Sequence, residues 1–428
     1  MVMIMKDKKI WDVIVVGAGA SGLMAAIHAA RAGVRVLILE HMDRPAKKLC
    51  MTGNGKCNFT NNEQGVSHYH CADPAFVMSV LNHYSKDDTI QFFRELGVLP
   101  VMVKGGYYPA SGQAITMREV LLQELQRLNV KILYEIGVRS IKKDQDAFVF
   151  YTKSDTYQAK KCILATGGKS YKKTGSDGSG FLYLDEFSHH VRNLVPALAG
   201  LQSNLAFFKK VAGIRAGVCV KSYTDNVLVR EERGELQLTD YGLSGICIFQ
   251  LSGQLSRALI AHKKAEVAVD FAPEFADAKE LRHQLHTLLH SKFMKQKTVL
   301  QALSGYFHEK LIAALLAEAG IDPALPVTKL EDEALKGLCV RIKDFRVPIT
   351  GINSFDQAQV TAGGVDIAEI DPATMESKLV SGLYFAGEMI DVDGDCGGYN
   401  LQFAWSTGAI AGKSAAQKER SGCYESDK

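Results

Sequence analysis

A short, continuous apolar run opens the best-defined part of this sequence. Asp12 to Val16 is rich in β-branched residues, which is typical of a strand buried on both faces of a parallel sheet. Ser21 to Arg31 is Ala-rich and predicts a helix that Gly33 ends, and Val34 to Leu39 predicts a second buried strand. The pattern therefore predicts a strand–helix–strand unit with a right-handed crossover.

The following segments alternate between helical and extended patterns. Residues 86–97 and 114–129 have helical periodicity, and residues 130–135 read as a strand. Short alternating runs between Val138 and Ala165 predict a small antiparallel meander that returns to a buried strand.

The pattern of predicted secondary structure changes near residue 194, which indicates an insertion into a discontinuous domain. We expect a Rossmann-like domain formed by residues 1–193 and 346–428. The insertion, residues 194–345, is expected to be β-rich over 194–275 and helical over 276–345. The predicted fold class is therefore α/β, with an inserted β-rich domain that carries a helical part.

Composition narrows the possible partners. The chain has 428 residues, 50 Lys and Arg against 47 Asp and Glu, and 47% hydrophobic residues, as in a globular protein of more than one domain. This charge balance gives no reason to expect a nucleic acid or a membrane as partner, and no apolar stretch is long enough to span a bilayer. Nine cysteines without a C-x-x-C pair indicate reduced thiols, so we expect a cytoplasmic protein.

The turn after the first strand has the spacing of a dinucleotide site. Gly17, Gly19 and Gly22 form G-x-G-x-x-G between a predicted strand and a predicted helix. In that context the glycines allow a tight turn, close approach of a pyrophosphate and close helix packing. Glu40 closes the second strand, where it would accept hydrogen bonds from a ribose hydroxyl, and its charge argues against a bound 2′-phosphate.

Two later strand ends favour FAD over NAD as the resident cofactor. Residues 162–168 and 382–400 are apolar strands that end in small-residue turns, and a long flavin dinucleotide needs several such ends beside it. Gly397 and Gly398 precede a helix whose N-terminus could face the pyrimidine edge of the flavin. Because no second G-x-G-x-x-G is present, NADH or NADPH would visit only transiently, or the substrate itself would supply the electrons.

Four blocks of sequence resemble the BaiN/YhiN-type flavoproteins, which are related to glutathione-reductase-like FAD enzymes. The blocks are "VIVVGAGASGLMAAIHAARAG…VLILE", "KKLCMTGNGKCNFTN", "ILATGGKSYKKTGSDGSGF" and "GLYFAGEMIDVDGDCGGYNLQFAWSTGAIAG". The resemblance implies a Rossmann-like FAD domain around an inserted domain. It also implies an NAD(P)H-dependent reductase, for instance of the activated carbon–carbon double bond of a bile-acid-type enone.

The resemblance also implies where the cofactor lies. It places the glycine motif and Glu40 at the adenosine diphosphate, the loop from Lys48 to Asn58 along the ribityl chain and ring, and Gly387 with Glu388 near the ribityl phosphate. The residues expected to bind FAD are Gly17, Ala18, Gly19, Ala20, Ser21, Gly22, Glu40, His41, Lys48, Asn54, Gly55, Lys56, Cys57, Asn58, Val138, Thr166, Gly167, Gly387, Glu388, Asp391, Gly397, Gly398, Tyr399, Asn400 and Leu401.

Other candidate chemistry is outweighed by simpler interpretations. Cys50 and Cys57 could form a redox pair, but a thiol packed beside the flavin is favoured. His283, His286 and His290 fit a solvated helix face better than a metal site. The alternating carboxylates Asp391, Asp393 and Asp395 fit a turn beside the flavin better than a cation loop.

The sequence therefore predicts an FAD-dependent oxidoreductase with a small-molecule substrate and no metal. Two alternatives stay open: an amine oxidase that uses oxygen, and an RNA-associated flavoprotein whose basic helical insertion contacts phosphates. Lys56, Cys57, Lys169 and Tyr171 are candidates for the neighbourhood of the ring. The sequence assigns no catalytic acid, and it leaves the substrate and the oligomeric state open.

Overall fold

The computed structural model describes residues 10–417, which divide into two compact units. One, here called the discontinuous unit, combines the chain up to Leu194 with the chain from Val360 onward. The other, the inserted unit, is Val195–Gln359.

The first part of the discontinuous unit alternates strands and helices. Its elements are β1 (Trp11–Val16), α1 (Ala20–Arg31), β2 (Val36–Leu39), α2 (Thr52–Gly55), β3 (Thr60–Asn61), β4 (Tyr69–His70), α3 (Pro74–His83), α4 (Lys86–Glu95), β5 (Pro100–Val103), β6 (Gly106–Pro109), α5 (Ala114–Arg127), β7 (Lys131–Leu133), β8 (Val138–Asp144), β9 (Ala147–Thr152) and β10 (Thr156–Leu164).

The inserted unit has strands first and most of its helices afterwards. Its elements are β11 (Val195–Ala197), β12 (Leu201–Gln202), α6 (Phe207–Val211), β13 (Arg215–Thr224), β14 (Val227–Leu238), β15 (Gly242–Ser244), α7 (Ile246–Ile260), β16 (Ala265–Asp270), α8 (Ala278–Leu289), α9 (Val299–Leu303), α10 (Glu309–Glu318), α11 (Asp332–Lys343), β17 (Phe345–Pro348) and β18 (Gly351–Ile352).

The chain then returns to the discontinuous unit. The last elements are β19 (Val360–Ala362), β20 (Leu383–Phe385), β21 (Asp393–Gly394) and α12 (Tyr399–Ala415).

The main sheet of the discontinuous unit is Rossmann-like. Strands β7, β2, β1, β10 and β20 are parallel neighbours in that order, and β9 and β8 continue from β10 in antiparallel pairing. Val13 of β1 pairs with Val36 of β2, and Val16 pairs with Leu39. The α/β interpretation and the strand–helix–strand unit are therefore confirmed, and the meander predicted between Val138 and Ala165 is β8, β9 and β10.

Helices α1 and α12 pack backbone against backbone on this sheet. A Cβ added at Gly408 would lie 2.4 Å from the carbonyl oxygen of Ser21, and one at Gly412 would lie 2.2 Å from that of Ala25. Only glycine allows this approach, because any side chain would overlap the facing backbone. Since Ser21 faces Gly408 and Ala25 faces Gly412, the two helices run in the same direction.

The inserted unit is built on one antiparallel sheet and its own core. The strand order is β17-β16-β13-β14-β15-β12-β18, and β13 and β14 form a long hairpin. Helices α7 to α11 contribute buried side chains to one hydrophobic cluster, which includes Leu251, Leu285 and Leu315.

The structure corrects the prediction for the insertion at two places. Residues 346–359 belong to the inserted unit, because β17 pairs with β16 and β18 pairs with β12; the burial of β17 alternates, as expected for a strand with one solvated face. The segment expected to be β-rich contains the 15-residue helix α7, whose apolar beginning resembles a buried strand.

The helical predictions fit the structure more closely. Helices α4 and α5 occupy the two segments predicted to be helical, and α8 exposes His283 and His286 while it buries Leu281 and Leu285. None of the helices between residues 10 and 417 is long and apolar enough to cross a bilayer.

The contact between α1 and α12 yields a prediction. Gly412→Ala should destabilise the discontinuous unit by about 1–3 kcal/mol, because the new methyl group forces the helices apart. Urea unfolding followed by tryptophan fluorescence measures this, since both tryptophans, Trp11 and the fully buried Trp405, lie in this unit.

Gly337→Ala is the matched control, because Gly337 lies within α11 and a Cβ there would have no neighbour within 4 Å. It should leave the tryptophan transition unchanged. A Gly412→Ala protein that unfolds at the wild-type urea concentration would show that the helices are not in backbone contact.

Candidate functional site

The glycine-rich turn after β1 is held by steric constraints on two of its glycines. Gly17 has a φ of +101°, and a Cβ there would lie 2.5 Å from the carbonyl oxygen of Ala165. A Cβ at Gly22 would lie 2.0 Å from the carbonyl oxygen of Gly17. These positions therefore shape the turn and bring α1 close to the end of β10.

The third glycine of the motif faces open space. A Cβ at Gly19 would meet no atom within 4 Å, and Gly19 is the N-cap of α1 without any side-chain cap. The first turn of α1, which begins with Ala20 and Ser21, contains no acidic residue. Unpaired N–H groups and the positive end of the helix dipole at such a position suit a phosphate.

Glu40 joins the turn to the end of β2. Its buried carboxylate accepts a hydrogen bond from the N–H of Ala18 at 2.7 Å and another from the N–H of Met42 at 2.7 Å. Because a carboxylate has about four acceptor positions, these bonds leave capacity for ribose hydroxyl groups.

Four further predicted residues lie near this end. The imidazole of His41 would be 3.2 Å from a Cβ at Gly175. The carbonyl oxygen of Val138 accepts a hydrogen bond from the hydroxyl of Tyr183 at 2.7 Å, which fixes the backbone there. Thr166 and Gly167 follow directly after β10, which is adjacent to β1 in the sheet. The structure thus places these four predicted cofactor-binding residues on the same side of the site as the glycine-rich turn and Glu40.

The loop before β3 has an unusual backbone. Gly53, Asn54, Gly55 and Cys57 all have positive φ values, between 55° and 80°. Among non-glycine residues asparagine tolerates this conformation well, so Asn54 is compatible with the turn. Asn54, Gly55 and Lys56 are exposed.

The N-terminus of α12 lies beside this loop. Gly398, the N-cap, has a φ of +96°, and a Cβ there would lie 2.9 Å from Oδ1 of Asn58. The side chain of Asn61 donates to the carbonyl oxygen of Gly397 at 2.9 Å, and Asn400 exchanges two hydrogen bonds with the backbone of Gly394. The N-cap Gly398 provides no side-chain cap for the first turn of α12, which includes Leu401.

The two helix N-termini are staggered. Ser21 is one residue after the start of α1, whereas Gly408, which it faces, is nine residues after the start of α12. The N-terminus of α12 therefore lies eight residues behind that of α1 along their shared direction. At the rise of an α-helix this separation is about 12 Å. Two electropositive helix ends at this spacing suit one elongated, phosphate-containing ligand.

A partly buried ion pair joins the segment after β20 to the loop that begins at Lys48. Lys48 Nζ is 2.6 Å from Glu388 Oε2, and the other oxygen of Glu388 accepts the N–H of Thr361 at 2.8 Å. The Thr361 hydroxyl in turn accepts the N–H groups of Lys169 and Ser170. This network fixes the segments after β10, β19 and β20 relative to one another.

Gly387 and Asp391 lie on the same strand-end segment. A Cβ at Gly387 would lie 2.4 Å from the hydroxyl of Ser21 in α1, and the N–H of Asp391 donates to the carbonyl oxygen of Val365. Gly387 therefore brings the predicted ribityl-phosphate region against the start of α1.

Two buried oxygens test whether a flavin dinucleotide fits these residues. Asn58 Oδ1, beside Gly398, and Ser176 Oγ, beside Gly167, have no hydrogen-bond partner among the described residues. Buried polar atoms are normally paired, so a polar ligand is the expected partner for both. These two oxygens, the N–H groups at the starts of α1 and α12 and the open space at Gly19 are all suited to a polar, phosphate-containing ligand. The residues present therefore fit FAD.

The thiols near the loop are unsuited to redox exchange. Burial raises the pKa of Cys57 to about 12, and burial also raises the pKa of Cys50. Because the thiolate is the reactive form, both thiols are protonated and inert near neutral pH. This favours the interpretation of Cys57 as a packed thiol over a redox pair.

One cluster near the site was missed by the sequence analysis. Asp395, which is 2% exposed, accepts hydrogen bonds from His68 Nδ1 at 3.1 Å and from His70 Nε2 at 2.9 Å. His68 and His70 are two positions apart in sequence, and so are Asp393 and Asp395, which is the spacing of side chains on one face of a strand. This spacing is the signal that could have indicated two paired strands. The two segments are far apart in sequence, so the sequence alone gave no reason to pair them.

Comparisons with known proteins place this geometry in a family. Residues 11–414 match the family model described as the HI0933-like protein Rossmann domain. The chain is 40% identical over 407 residues to a 3-dehydro-bile acid delta(4,6)-reductase of Clostridium scindens, covering 94% of this chain and 98% of the relative.

Two further proteins similar to this chain are named for other reactions. A ribosomal RNA dihydrouridine synthase of Haemophilus influenzae is 30% identical over 408 residues, covering 92% of this chain and 96% of the relative. Among solved structures, a 3-ketosteroid-delta4-(5alpha)-dehydrogenase of Rhodococcus jostii has a TM-score of 0.48 at 15% identity, covering 97% of this chain and 98% of that one.

Gly19→Asp tests the pyrophosphate end of the site. The protein should fold, because nothing in the chain occupies the space of the new side chain, but the carboxylate would face the phosphates. Repulsion of several kcal/mol predicts at least about a tenfold loss of bound flavin, measured by the ratio of absorbance at the flavin and protein bands.

Gly305→Asp provides the matched control, since Gly305 lies in the inserted unit and also has no atom within 4 Å of its Cβ position. That variant should keep its flavin. Full flavin content in Gly19→Asp would contradict the assignment of α1 to the pyrophosphate.

Proposed function

Because the chain belongs to the HI0933-like Rossmann-domain family and is an FAD-dependent oxidoreductase, we propose that it reduces a carbon–carbon double bond conjugated to a carbonyl group. The substrate we favour is a 3-oxo bile-acid-type enone, with NADH or NADPH as the electron donor. The FAD-binding residues are those gathered at the N-termini of α1 and α12.

The observation that carries this proposal is the 40% identity to a bile acid reductase over nearly the full length of both chains. A 3-dehydro bile acid with a Δ4 double bond is an enone. Uridine, the precursor of dihydrouridine, also has a double bond conjugated to a carbonyl group. The names of both relatives therefore describe one reaction class, hydride addition to the β-carbon of an activated double bond.

The chain's own residues have defined tasks in such a reaction. Bound FAD supplies the hydride chemistry. The N–H groups at the start of α12, beside Tyr399 and Asn400, stabilise negative charge on the pyrimidine edge. The Lys48–Glu388 pair orders the loop that lies along the ribityl chain.

As donor, NADH or NADPH would bind only transiently. The chain contains a single G-x-G-x-x-G motif, at Gly17 to Gly22, so no dedicated nicotinamide domain is present. A donor that binds briefly, transfers its hydride and leaves would free the same site for the enone.

A second candidate, reduction of uridine in RNA, is favoured by one surface. The segment between α8 and α9 carries Phe293, which is 74% exposed, together with the exposed Lys295 and Lys297. Lys292 Nζ lies 5.0 Å from the centre of the Phe293 ring. An exposed aromatic ring among lysines suits base stacking combined with phosphate contacts.

The proposed function is tested by an anaerobic spectrum. The purified protein should show a flavin spectrum that NADH or NADPH bleaches, and a 3-oxo-Δ4 bile acid should restore the colour while its double bond is reduced. A flavin that no nicotinamide bleaches would contradict the proposal. Anaerobic bleaching by an amine, followed by oxygen consumption once air is admitted, would establish the oxidase alternative.

The RNA candidate is separated in the same experiment. If a uridine-containing ribosomal RNA fragment restores the colour and the bile acid does not, RNA is the substrate. Phe293→Ala should then weaken RNA binding, with about 1–3 kcal/mol lost per stacked base, whereas Tyr151→Ala, which removes an exposed ring of the other unit, should not. Binding should also weaken steeply with salt.

A further inference from the structure

A buried carboxylate holds two imidazoles beside the start of α12. Asp395 Oδ2 faces Nδ1 of His68, and Oδ1 faces Nε2 of His70. The backbone reinforces the arrangement, because the N–H of Asp395 donates to the carbonyl oxygen of His68 and β4 pairs with β21. An ionised Asp395 only accepts, an arrangement that requires hydrogen on both facing ring nitrogens.

The cluster lies at the end of the site where we place the flavin ring. The His68 ring stacks on the ring of Tyr399, the first residue of α12, with centroids 4.4 Å apart and planes 16° apart. Stacking and the bond to Asp395 fix the plane of His68. Its Nε2 therefore points outward, and the side chain is 26% exposed.

Neighbouring groups are weaker candidates for proton transfer. Burial raises the pKa of Tyr69 far above its usual value, and burial raises the pKa of Tyr399 to about 12. The pKa of Cys57 is likewise raised, to about 12. Lys48 is engaged with Glu388. An imidazole has the acidity that proton transfer near neutral pH requires.

Resting on the proposed function, we propose that His68 is the catalytic proton donor and that Asp395 is its positioning residue. The β-carbon of the enone receives a hydride from reduced flavin, which is thereby oxidised. The α-carbon receives the Nε2 proton of the His68 imidazolium, which carries hydrogen on both ring nitrogens before the step, so that an N–H bond breaks and a C–H bond forms. The double bond is reduced, and the neutral imidazole keeps its Nδ1 hydrogen on Asp395 until solvent returns the lost proton.

Several charged or titratable groups surround this imidazole. Glu63 Oε1 is 3.9 Å from His68 Nε2, beyond hydrogen-bond distance. Tyr69 and His70 belong to the same strand, Asp393 lies opposite His70 in the β4–β21 pair, and Asp395 and Tyr399 contact the ring directly. Any pH dependence of the step is therefore assigned by comparing the wild type with His68→Gln.

Separate measurement of the two half-reactions tests the assignment. His68→Gln should slow reoxidation of the reduced protein by the enone about 10²–10⁴-fold and remove its pH dependence. Asp395→Asn should slow the same step about 10- to 100-fold. Bleaching by NADH or NADPH should change less than about twofold in either variant, because that step transfers only hydride.

Two histidine variants make the comparison specific. His70→Gln leaves the His68–Asp395 bond in place and should slow reoxidation less than His68→Gln. His286→Gln alters an exposed histidine of the inserted unit and should behave as wild type. Wild-type reoxidation across the pH range in His68→Gln, or equal slowing of both half-reactions, would overturn the proposal.

A spectroscopic measurement is independent of turnover. Long-range ¹H–¹⁵N NMR spectra of histidine-labelled protein, assigned with His68→Gln, should show hydrogen on Nδ1 of neutral His68, and Asp395→Asn should alter that tautomer signal. Hydrogen on Nε2 alone, or no response to Asp395→Asn, would overturn the role of Asp395. If no enone reoxidises the reduced wild type, the proposed function and the role of His68 as proton donor fail together. The tautomer of His68 would in that case still show whether Asp395 orients its ring.

Discussion

The direct backbone contact between α1 and α12 determines the geometry of the candidate site. At Gly408 and Gly412 the absence of side chains lets α12 lie against the carbonyl groups of α1. The contact sets both the direction and the stagger of the two helices. Because each helix starts at an uncapped glycine, the same contact fixes the distance between two electropositive ends.

This arrangement divides the task of cofactor binding along the length of the ligand. In the proposed binding mode, the strand-end residues near Glu40 and Ser176 are the polar partners at one end, and the loop at Asn58 supplies those at the other. Lys48 and Glu388 connect the two regions across 340 positions of sequence. Among residues 10–417, the buried oxygens of Asn58 and Ser176 have no hydrogen-bond partner, and both lie at the candidate site.

Much of this fold could be predicted because its signals are local. The buried runs of β1 and β2 are continuous and the glycine spacing is short, so the strand–helix–strand unit was evident from the sequence. Helix α7 was missed because Ile246, Cys247 and Ile248 imitate a buried strand, although Ile246 is 66% exposed. The boundary near residue 346 was misplaced because β17 pairs with a strand about 80 residues earlier, which no local pattern reveals.

The polar contacts of the site were the least predictable part. The glycines and Glu40 could be named from a motif, but the partners of Lys48 and of Asp395 lie more than 300 residues away. Such pairs depend on the parallel sheet and on the start of α12, and therefore on tertiary structure. The resemblance in sequence indicated the loop and the turn, but it gave no reason to single out His68 or His70.

The central claim is that one FAD molecule spans the N-termini of α1 and α12. An experimental structure of the purified protein with its bound flavin tests this most directly. The account predicts the pyrophosphate at the N–H groups that follow Gly19 and the pyrimidine edge at those that follow Gly398. A flavin whose pyrophosphate or pyrimidine edge lay away from these two helix ends would contradict it.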